Sequence, residues 1–528
     1  MKSRKIHLLF LLMLLSLLSG CKKVESGLAD IIWQINFDLV TTTWDVQFID
    51  AATGLPVGAN NNDRIEVTIT GGDKNNILDL AGVRQTRFYS TKGVLALCLH
   101  PDRAVPDPQT PVKFVIHANH EAYLPVNVPV TSYHEGVNPI KVYLINRSNA
   151  PENVDLLAQT QVGRMVDGKL TDSLTLKTAL NYSTLAIAAG TEFHAASGAQ
   201  LAGDLTFAFS YWEGSTVNGL KTFPGGQVTR NIVGNPGLIY LACGLYVDIH
   251  DADRKYTSQV SQPMVCKAII NKAVYNPLTK AKLVAGETVP LWYMNPATDL
   301  WENKGSTIIQ TIDNNLVANL SLESTGLYLV GWIDENLCSS FAVLHPNTLA
   351  QFQEIPYAFT ISIFQTFNNE LRFIQSTSIS GKATEDYDIH FLPDNSELVV
   401  RFEPYTYENS PYYKTPDPVF LAGFCQSGNP VNFSLQPKTG STFKKIKVVF
   451  IDVLHNNTRY IPKVFPGCYR KSGTTVWQSA FVYGGQAYMV NTMEGDLFEM
   501  GINFKGGFHQ KQVTIGSEEY TLVEITLE

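Results

Sequence analysis

Two histidine–carboxylate pairs are the features of the sequence closest to a metal or acid–base site. The dipeptide His-Glu occurs at residues 120–121 and 134–135, and each begins like the helical zinc motif His-Glu-x-x-His. That motif needs a second histidine four residues after the first, but Leu124 and Asn138 stand there. His117 comes three residues before the first pair, so on a strand it would face the opposite side. The sequence therefore predicts no metal site and no bound cofactor.

Two acidic clusters offer carboxylate oxygens, the ligands that a hard cation such as Ca²⁺ prefers. The first has aspartates at positions 248, 251 and 253, but it lacks the glycine and the distal glutamate of an EF-hand loop. We predict a turn between two strands there. In the second, at residues 385–388, Asp386 and Asp388 alternate and would share one face of a strand. A weak ion site and a solvated face are the two interpretations of this second cluster.

Local signatures of nucleophilic or nucleotide chemistry are absent from the sequence. It contains no Gly-x-Ser-x-Gly elbow, phosphate-binding loop or dinucleotide fingerprint. A glycoside hydrolase needs only two well-placed carboxylates, which distant strands can supply. The chain has 48 Asp and Glu residues, so the presence of carboxylates does not distinguish a hydrolase from a protein that is not an enzyme. We expect a protein that is not an enzyme; the alternative is an envelope glycan hydrolase with carboxylates from residues 340–528.

A stretch rich in tyrosine and proline, at residues 403–418, is the best candidate for a binding surface. Its four prolines exclude a helix or a central strand and predict a stiff loop. Tyrosine rings on a stiff loop suit stacking on a sugar ring or on a protein partner. The alternative is a loop that folds onto its own module. The candidate binding residues are Tyr405, Tyr407, Tyr412 and Tyr413.

The elements that must position these residues are strands. From Trp33 onward apolar side chains recur with period two, and no stretch of twelve or more residues carries a helical apolar stripe. In residues 140–144, Ile, Val and Leu alternate with Lys and Tyr, as expected of a strand with one face on a core and the other toward water. Turns rich in Gly and Asn separate such runs at the spacing of β-sandwiches. The sequence predicts an all-β fold: a string of β-sandwich modules, immunoglobulin-like or transthyretin-like.

The first 21 residues predict a lipoprotein signal peptide. Three basic residues precede an apolar run at 6–18, which is too short to span a bilayer. Residues 18–21 read Leu-Ser-Gly-Cys, which resembles the lipobox of bacterial lipoproteins. The resemblance implies removal of residues 1–20, lipidation of Cys21 and a lipidated tether over 21–37. Because Lys22 follows, similarity to the enterobacterial sorting rule implies an outer-membrane lipoprotein, at the cell surface or facing the periplasm.

An acidic chain of this kind is not expected to bind nucleic acid. The formal net charge is −8 over 528 residues, so the chain as a whole does not attract polyphosphate. The expected partners are the membrane, through the N-terminal lipid, and a glycan or a surface protein.

The cysteines are too sparse for a disulfide scaffold. The chain has seven, one of which is Cys21, and we expect the others to be mostly buried free thiols. The candidate disulfides are Cys243 with Cys266 and Cys425 with Cys468.

Residues 38–150 resemble the carboxypeptidase regulatory-like, or transthyretin-like, sandwich common in surface proteins of Bacteroidetes. The likeness rests on two motifs, Asp-x-x-Thr-Gly-x-Pro at residues 50–56 and Ala-x-x-x-x-Tyr-Leu-Pro at 118–125. It implies a structural or binding sandwich without a catalytic centre.

Residues 151–340 resemble the extracellular module of cartilage intermediate layer protein and of many bacterial surface lipoproteins. The motif is a strand that ends in an aromatic residue, a turn that ends in Thr-Gly, and a strand that starts with Trp; residues 290–302 follow this order. We predict a hairpin with a positive φ at position 299, where Gly is free and Asp is tolerated. Asp299 stands where the family usually has Gly.

Two further β modules are predicted over residues 341–437 and 438–528. The sequence Gln-Pro-Lys-Thr-Gly-Ser at 436–441 has the composition of a linker between them. The two resemblances imply a Bacteroidetes-type surface lipoprotein that presents β modules for adhesion or for binding a glycan or a protein. Besides the hydrolase, the alternative is an accessory subunit of an outer-membrane transport complex.

Overall fold

The computed structural model describes most of the chain after residue 39, and almost all of its regular structure is strand. The all-β prediction is confirmed. No helix among these residues has the length and apolarity needed to cross a membrane. The described residues are 40–57, 64–157, 161–230, 236–394, 397–405, 412–423, 425, 430–438, 442–453, 457–475, 477–504, 507–518 and 520–527.

The first module, residues 42–144, is a sandwich of two four-stranded sheets. Its strands are β1 (Thr42–Asp50), β2 (Glu66–Thr70), β3 (Ile77–Asp79), β4 (Phe88–Tyr89), β5 (Val94–Leu99), β6 (Val112–Asn119), β7 (Val126–Ser132) and β8 (Gly136–Leu144), with a 3-10 turn at Lys74–Asn76. The sheet orders are β3-β5-β1-β8 and β4-β2-β6-β7. Alternate residues of each strand, such as Val142 and Leu144, fill the core between the sheets, because side chains of period two share a face.

The two motifs that carry the first resemblance touch each other in this module. Asp50 Oδ1 accepts hydrogen bonds from the backbone N–H groups of Ala52 (3.0 Å) and Thr53 (2.9 Å), and Gly54 has a φ of +69°. The tight turn therefore depends on an Asp side chain and on glycine. The Tyr123 hydroxyl of the second motif donates to Asp50 Oδ2 at 3.1 Å. The second motif therefore helps to hold the turn that the first motif forms.

The second module, residues 154–334, is a larger sandwich of an eight-stranded and a six-stranded sheet. Its elements are β9 (Val154–Leu156), β10 (Gln161–Gly163), β11 (Met165–Val166), β12 (Lys169–Leu170), β13 (Leu174–Lys177), β14 (Ser183–Ile187), β15 (Phe193–Ala195), β16 (Leu205–Glu213), α1 (Val217–Thr222), β17 (Val228–Arg230), β18 (Pro236–His250), β19 (Thr257–Ile270), β20 (Tyr275–Asn276), β21 (Ala281–Lys282), β22 (Thr288–Asn295), β23 (Leu300–Ile308), β24 (Gln310–Ile312), β25 (Asn315–Ser324) and β26 (Gly326–Asp334). The main orders are β10-β16-β18-β26-β22-β23 and β13-β14-β19-β25-β24. The predicted hairpin is confirmed: β22 pairs with β23, and Asp299 in their turn has a φ of 55°.

The third and fourth modules occupy residues 342–434 and 443–527. Their strands are β27 (Ala342–Asn347), β28 (Pro356–Phe367), β29 (Glu370–Lys382), β30 (Tyr387–Ile389), β31 (Leu398–Pro404), β32 (Val419–Leu421), β33 (Val431–Ser434), β34 (Phe443–Asp452), β35 (Thr458–Tyr460), β36 (Val464–Lys471), β37 (Gln478–Tyr483), β38 (Gln486–Val490), β39 (Leu497–Phe504), β40 (Gly507–Thr514) and β41 (Tyr520–Leu527), with a 3-10 turn at Ala350–Phe352. The third has sheets β30-β27-β33 and β29-β28-β31-β32, and the fourth is one eight-stranded sheet. In the first, third and fourth modules the first strand pairs in parallel with the last.

The modules pack against one another and share cores. Leu78 and Cys98 of the first module lie in the apolar core of the fourth, and Leu238 of the second and Val490 of the fourth lie in the core of the third. The modules are therefore packed together and do not form a linear array. Surfaces that water would cover in a linear array are buried in these contacts. Burial of apolar area is the main favourable term in such contacts.

The disulfide predictions are wrong. The structure joins Cys338 to Cys425, whose Cα atoms lie 5.4 Å apart, while Cys98, Cys243, Cys266 and Cys468 are free thiols. Cys243 and Cys266 lie on strands of opposite sheets, where each serves as a small apolar side chain of the core. Cys468 lies on β36 in the fourth module, whereas Cys425 follows β32 in the third.

Candidate functional site

The three described tyrosines of the loop do not form the exposed platform that the sequence suggests. Tyr405, Tyr412 and Tyr413 are 1%, 5% and 0% exposed, and Tyr407 lies outside the described residues. The Tyr412 hydroxyl donates to the carbonyl of Tyr488 at 2.7 Å, and the Tyr413 hydroxyl donates to carbonyls of its own module. The rings fill gaps within and between modules and their hydroxyls satisfy buried carbonyls, so these three residues are structural.

Tyr405 reaches into the first module, where it meets a buried carboxyl. Its hydroxyl donates to the backbone carbonyl of Asp45 at 2.7 Å and to Asp45 Oδ2 at 3.1 Å. Burial raises the pKa of Asp45 to about 6, although hydrogen bonds from Gln47 and Tyr405 act in the opposite direction. The contact joins the third module to the first across 360 positions of sequence.

A cleft of about 710 Å³ lies where the first three modules meet, and we refer to it as the central cleft. Its walls combine aromatic rings with amide, hydroxyl and charged groups. The lining residues that matter below are Tyr133, Asn138, Lys141 and Tyr143 of the first module, Lys221, Gln227, Thr229 and Asp299 of the second, and Gln375, Ser376, Thr377, Tyr387, Asp388, His390 and Phe391 of the third.

Two lysines, Lys141 and Lys221, form the charged wall of the central cleft, and Glu403, which is not among the lining residues, pairs with Lys221. Lys221 Nζ donates to both carboxylate oxygens of Glu403, at 2.9 and 3.0 Å, and Lys141 Nζ donates to the carbonyl of Pro404 at 2.9 Å. Burial lowers the pKa of Lys141 to about 8, against the opposing charge of Glu403. Burial alone would raise the pKa of Glu403, but the charge and hydrogen bond of Lys221 outweigh it and lower that pKa.

A second polar network joins the first two modules at Asp299. Thr70 Oγ1 donates to Asp299 Oδ2 at 2.7 Å and lies 2.6 Å from His117 Nε2. His117 Nδ1 lies 2.8 Å from the Asn127 side-chain oxygen, and His117 Nε2 lies 3.4 Å from Asp299 Oδ2. A protonated imidazole satisfies every one of these contacts, since both of its ring nitrogens then donate.

The protonation state of His117 decides what this network can do. Burial would lower the pKa of His117, but the hydrogen bond and charge of Asp299 outweigh it and raise the pKa. Burial would likewise raise the pKa of Asp299, but His117 and Thr70 outweigh it and lower that pKa. Threonine, histidine and asparagine are here spaced like a nucleophile, a base and its orienting group. Because Asp299 accepts the hydrogen bond of the Thr70 hydroxyl and favours the charged form of the imidazole, the geometry is that of an ion pair between modules.

Replacement of Asp299 by asparagine is expected to bring the pKa of His117 from above its ordinary value of 6.5 to below it. Asparagine tolerates the positive φ at this position, so the turn is kept while the charge is removed. Because the folded pKa of His117 is raised, the ion pair stabilises the protein below pH 6.5 and this contribution is lost as the pH rises through the raised value. NMR titration of histidine-labelled protein measures the shift. Asp253→Asn, at a side chain that is 80% exposed, is the matched control and should leave His117 unchanged.

The remaining sequence candidates fall into separate places. Asp251 and Asp253 lie in the turn between β18 and β19, as predicted, whereas Asp248 is buried within β18. Of the alternating pair on the third module, Asp386 Oδ1 lies 2.6 Å from His345 Nδ1, while Asp388 turns into the central cleft. The sequence patterns do not predict the central cleft, because residues of three modules form its walls and no local motif identifies them.

Comparison with known proteins gives little beyond this description. No family model matches the chain, and no curated protein matches it. Among solved structures, it is similar to the minor pilin GBS52 of Streptococcus agalactiae, with 9% identity over 36% of this chain and 95% of that chain and a TM-score of 0.15. It is also similar to BcpA, the major pilin subunit of Bacillus cereus, with 9% identity over 92% of this chain and 98% of that chain and a TM-score of 0.14. With TM-scores this low, neither likeness indicates a function for this chain.

Proposed function

We propose that the protein is a non-catalytic, lipid-anchored protein of the cell envelope whose central cleft binds a short glycan. The composition of the cleft supports this function. Rings such as Tyr143 and Phe391 offer faces on which sugar rings stack, and Gln227, Thr229 and Thr377 offer amide and hydroxyl groups suited to sugar hydroxyls. The volume of about 710 Å³ falls within the roughly 300–1,000 Å³ of most ligand sites.

The charged wall favours a glycan that carries a carboxylate. Lys141 and Lys221 line the central cleft, and because Glu403 pairs with Lys221, the charge left for a ligand is that of Lys141. An ammonium group has three N–H donors, and one of those of Lys141 is used by Pro404. Low local dielectric strengthens the attraction between a lysine and an acidic sugar relative to water.

The envelope location is supported by the disulfide and by the lipobox. A bond such as Cys338–Cys425 persists in oxidising compartments and is rare in the cytosol. Lipidation of Cys21 would hold the body at the membrane. In membrane fractionation, Cys21→Ala should move the protein to the soluble fraction; a variant that stays in the membrane would contradict the anchor.

Glycan binding is tested with residues 22–528, which include every described residue. A panel of neutral and acidic oligosaccharides identifies ligands, and calorimetry measures their affinity for two cleft variants, Tyr143→Ala and Ser376→Trp. We expect each variant to bind at least tenfold more weakly, because one loses a stacking face and the other fills the cleft. The matched control is Phe420→Ala, at a ring that is 74% exposed and not part of the cleft lining.

Three outcomes would contradict the proposal. They are the absence of binding to every oligosaccharide, equal binding by the cleft variants and the wild type, and cleavage of the bound oligosaccharide, which would indicate a hydrolase.

A further inference from the structure

Two histidines and an aspartate meet beside the central cleft, and two of the three, Asp388 and His390, line it. His134 lies between β7 and β8 of the first module, Asp388 lies on β30 of the third, and His390 follows β30. His134 Nε2 is 3.9 Å from Asp388 Oδ2, and one ligand atom from each of the three residues lies within 4.8 Å of the other two. The packing of the modules thus brings His134 and Asp388 together, although they are separated by 254 positions in sequence.

Each histidine of this cluster has a ring nitrogen that can act as a metal ligand. His134 Nε2 accepts a weak hydrogen bond, 3.4 Å long, from the backbone N–H of Asp388, and a metal ion bound to this nitrogen would replace that hydrogen bond. His390 Nε2 is buried and has no hydrogen-bond partner among the described residues. A buried polar atom without a partner costs stability, and a metal ion would satisfy it.

The loop that carries His390 is held in place by its neighbours. The Tyr133 ring stacks on the imidazole, with centroids 3.5 Å apart and planes 15° from parallel. Gln375 Nε2 donates to the carbonyls of His390 and Phe391, at 3.2 and 3.3 Å. Phe391 has a φ of 60°, a conformation that aromatic residues rarely adopt. Rare backbone conformations kept by surrounding contacts cluster at functional sites.

We propose that His134, Asp388 and His390 bind one divalent transition-metal ion, of which Zn²⁺ fits best. Two imidazoles and one carboxylate are a ligand set that zinc accepts, and three protein ligands leave a fourth position for water or for a ligand in the cleft. Ligand atoms around a tetrahedral zinc with bonds of about 2.0–2.1 Å lie about 3.3 Å apart. Binding of the ion therefore requires the side chains to rotate toward one another from their present separations of up to 4.8 Å. The ion links the first module to the third, and the site does not depend on glycan binding.

The test uses residues 22–528, freed of metal with a chelator and dialysed, with ZnCl₂ as the probe. Calorimetry is expected to give one Zn²⁺ per chain. His134→Gln and Asp388→Asn should each weaken Zn²⁺ binding at least tenfold, since each removes a ligand. The matched control is His345→Gln: His345 also faces an aspartate, Asp386, at 2.6 Å, and its replacement should leave the affinity within twofold of the wild type.

A second measurement does not depend on the variants being folded. In the wild type, Zn²⁺ should raise the melting temperature and excess EDTA should reverse the rise, because a ligand that binds only the folded state stabilises it. Co²⁺ in place of Zn²⁺ should give visible absorption bands that Zn²⁺ abolishes. Failure of the wild type to bind Zn²⁺, or an equal loss of affinity in His345→Gln, would overturn the proposal.

Discussion

Replacement of Cys425 by serine is expected to lower the free energy of unfolding by about 4–5 kcal/mol. The Cys338–Cys425 bond spans 87 positions, and closing a loop of that length restricts the unfolded chain by about 4–5 kcal/mol in the chain-entropy estimate. Cys338 precedes β27 and Cys425 follows β32, so the bond encloses most of the third module. That module is the one that contributes Asp388 and His390 to the central cleft.

Urea denaturation with and without a reductant measures this effect. The reductant should bring the midpoint of the wild type down to that of Cys425→Ser and leave the variant unchanged. Cys468→Ser, at a thiol that is free, is the control and should keep its sensitivity to the reductant. The expected thiol titration of unreduced residues 22–528 is four free thiols; six free thiols would show that the bond is absent.

Replacement of Asp45 by asparagine is expected to stabilise the protein by about 3 kcal/mol at neutral pH. Burial raises the pKa of Asp45 from 3.8 to about 6, so at neutral pH the folded state carries a buried carboxylate that is less stable than the same carboxylate in the unfolded chain. Two pKa units correspond to about 3 kcal/mol. Asparagine keeps an oxygen acceptor for the Tyr405 hydroxyl and carries no charge to bury.

The size of this effect depends on pH. Below pH 3.8 the Asp45 carboxyl is protonated in both states, so variant and wild type should have nearly equal stability. Between pH 3.8 and about 6 the wild type loses stability as the pH rises, and above that range the advantage of the variant should be constant. Denaturation midpoints from pH 3.5 to 8 measure the difference, with the exposed Asp253→Asn as control. An Asp45→Asn advantage that does not change with pH would contradict the explanation.

The sequence predicts which residues of a strand share a face, but it does not predict what packs against that face. The alternation at residues 140–144 correctly places Val142 and Leu144 in the core. The sequence assigns the opposite face to water, whereas Lys141 and Tyr143 line the central cleft. Period two reports only which side chains share a face, and what covers a polar face depends on modules far away in sequence.

The tyrosine loop is a second case in which a local sequence pattern does not predict what the side chains contact. Prolines and aromatic rings in one stretch predict a stiff loop with large rings, and both a binding platform and a filler between modules need those residue types. The contact that distinguishes them is the hydrogen bond from Tyr405 to Asp45, 360 positions away. A local sequence pattern contains no information about such a contact.

Asp299 shows most clearly which features the sequence determines and which the tertiary structure decides. The sequence by itself determined the all-β fold, the hairpin around Asp299 and its positive φ, because periodicity and turn chemistry act over a few residues. Only the tertiary structure decided that Asp299 pairs with His117, that Cys338 bonds Cys425 and that His134 meets Asp388 and His390. These contacts join residues tens to hundreds of positions apart, and the packing of strands and modules, set by burial of their apolar surfaces, determines which polar groups meet.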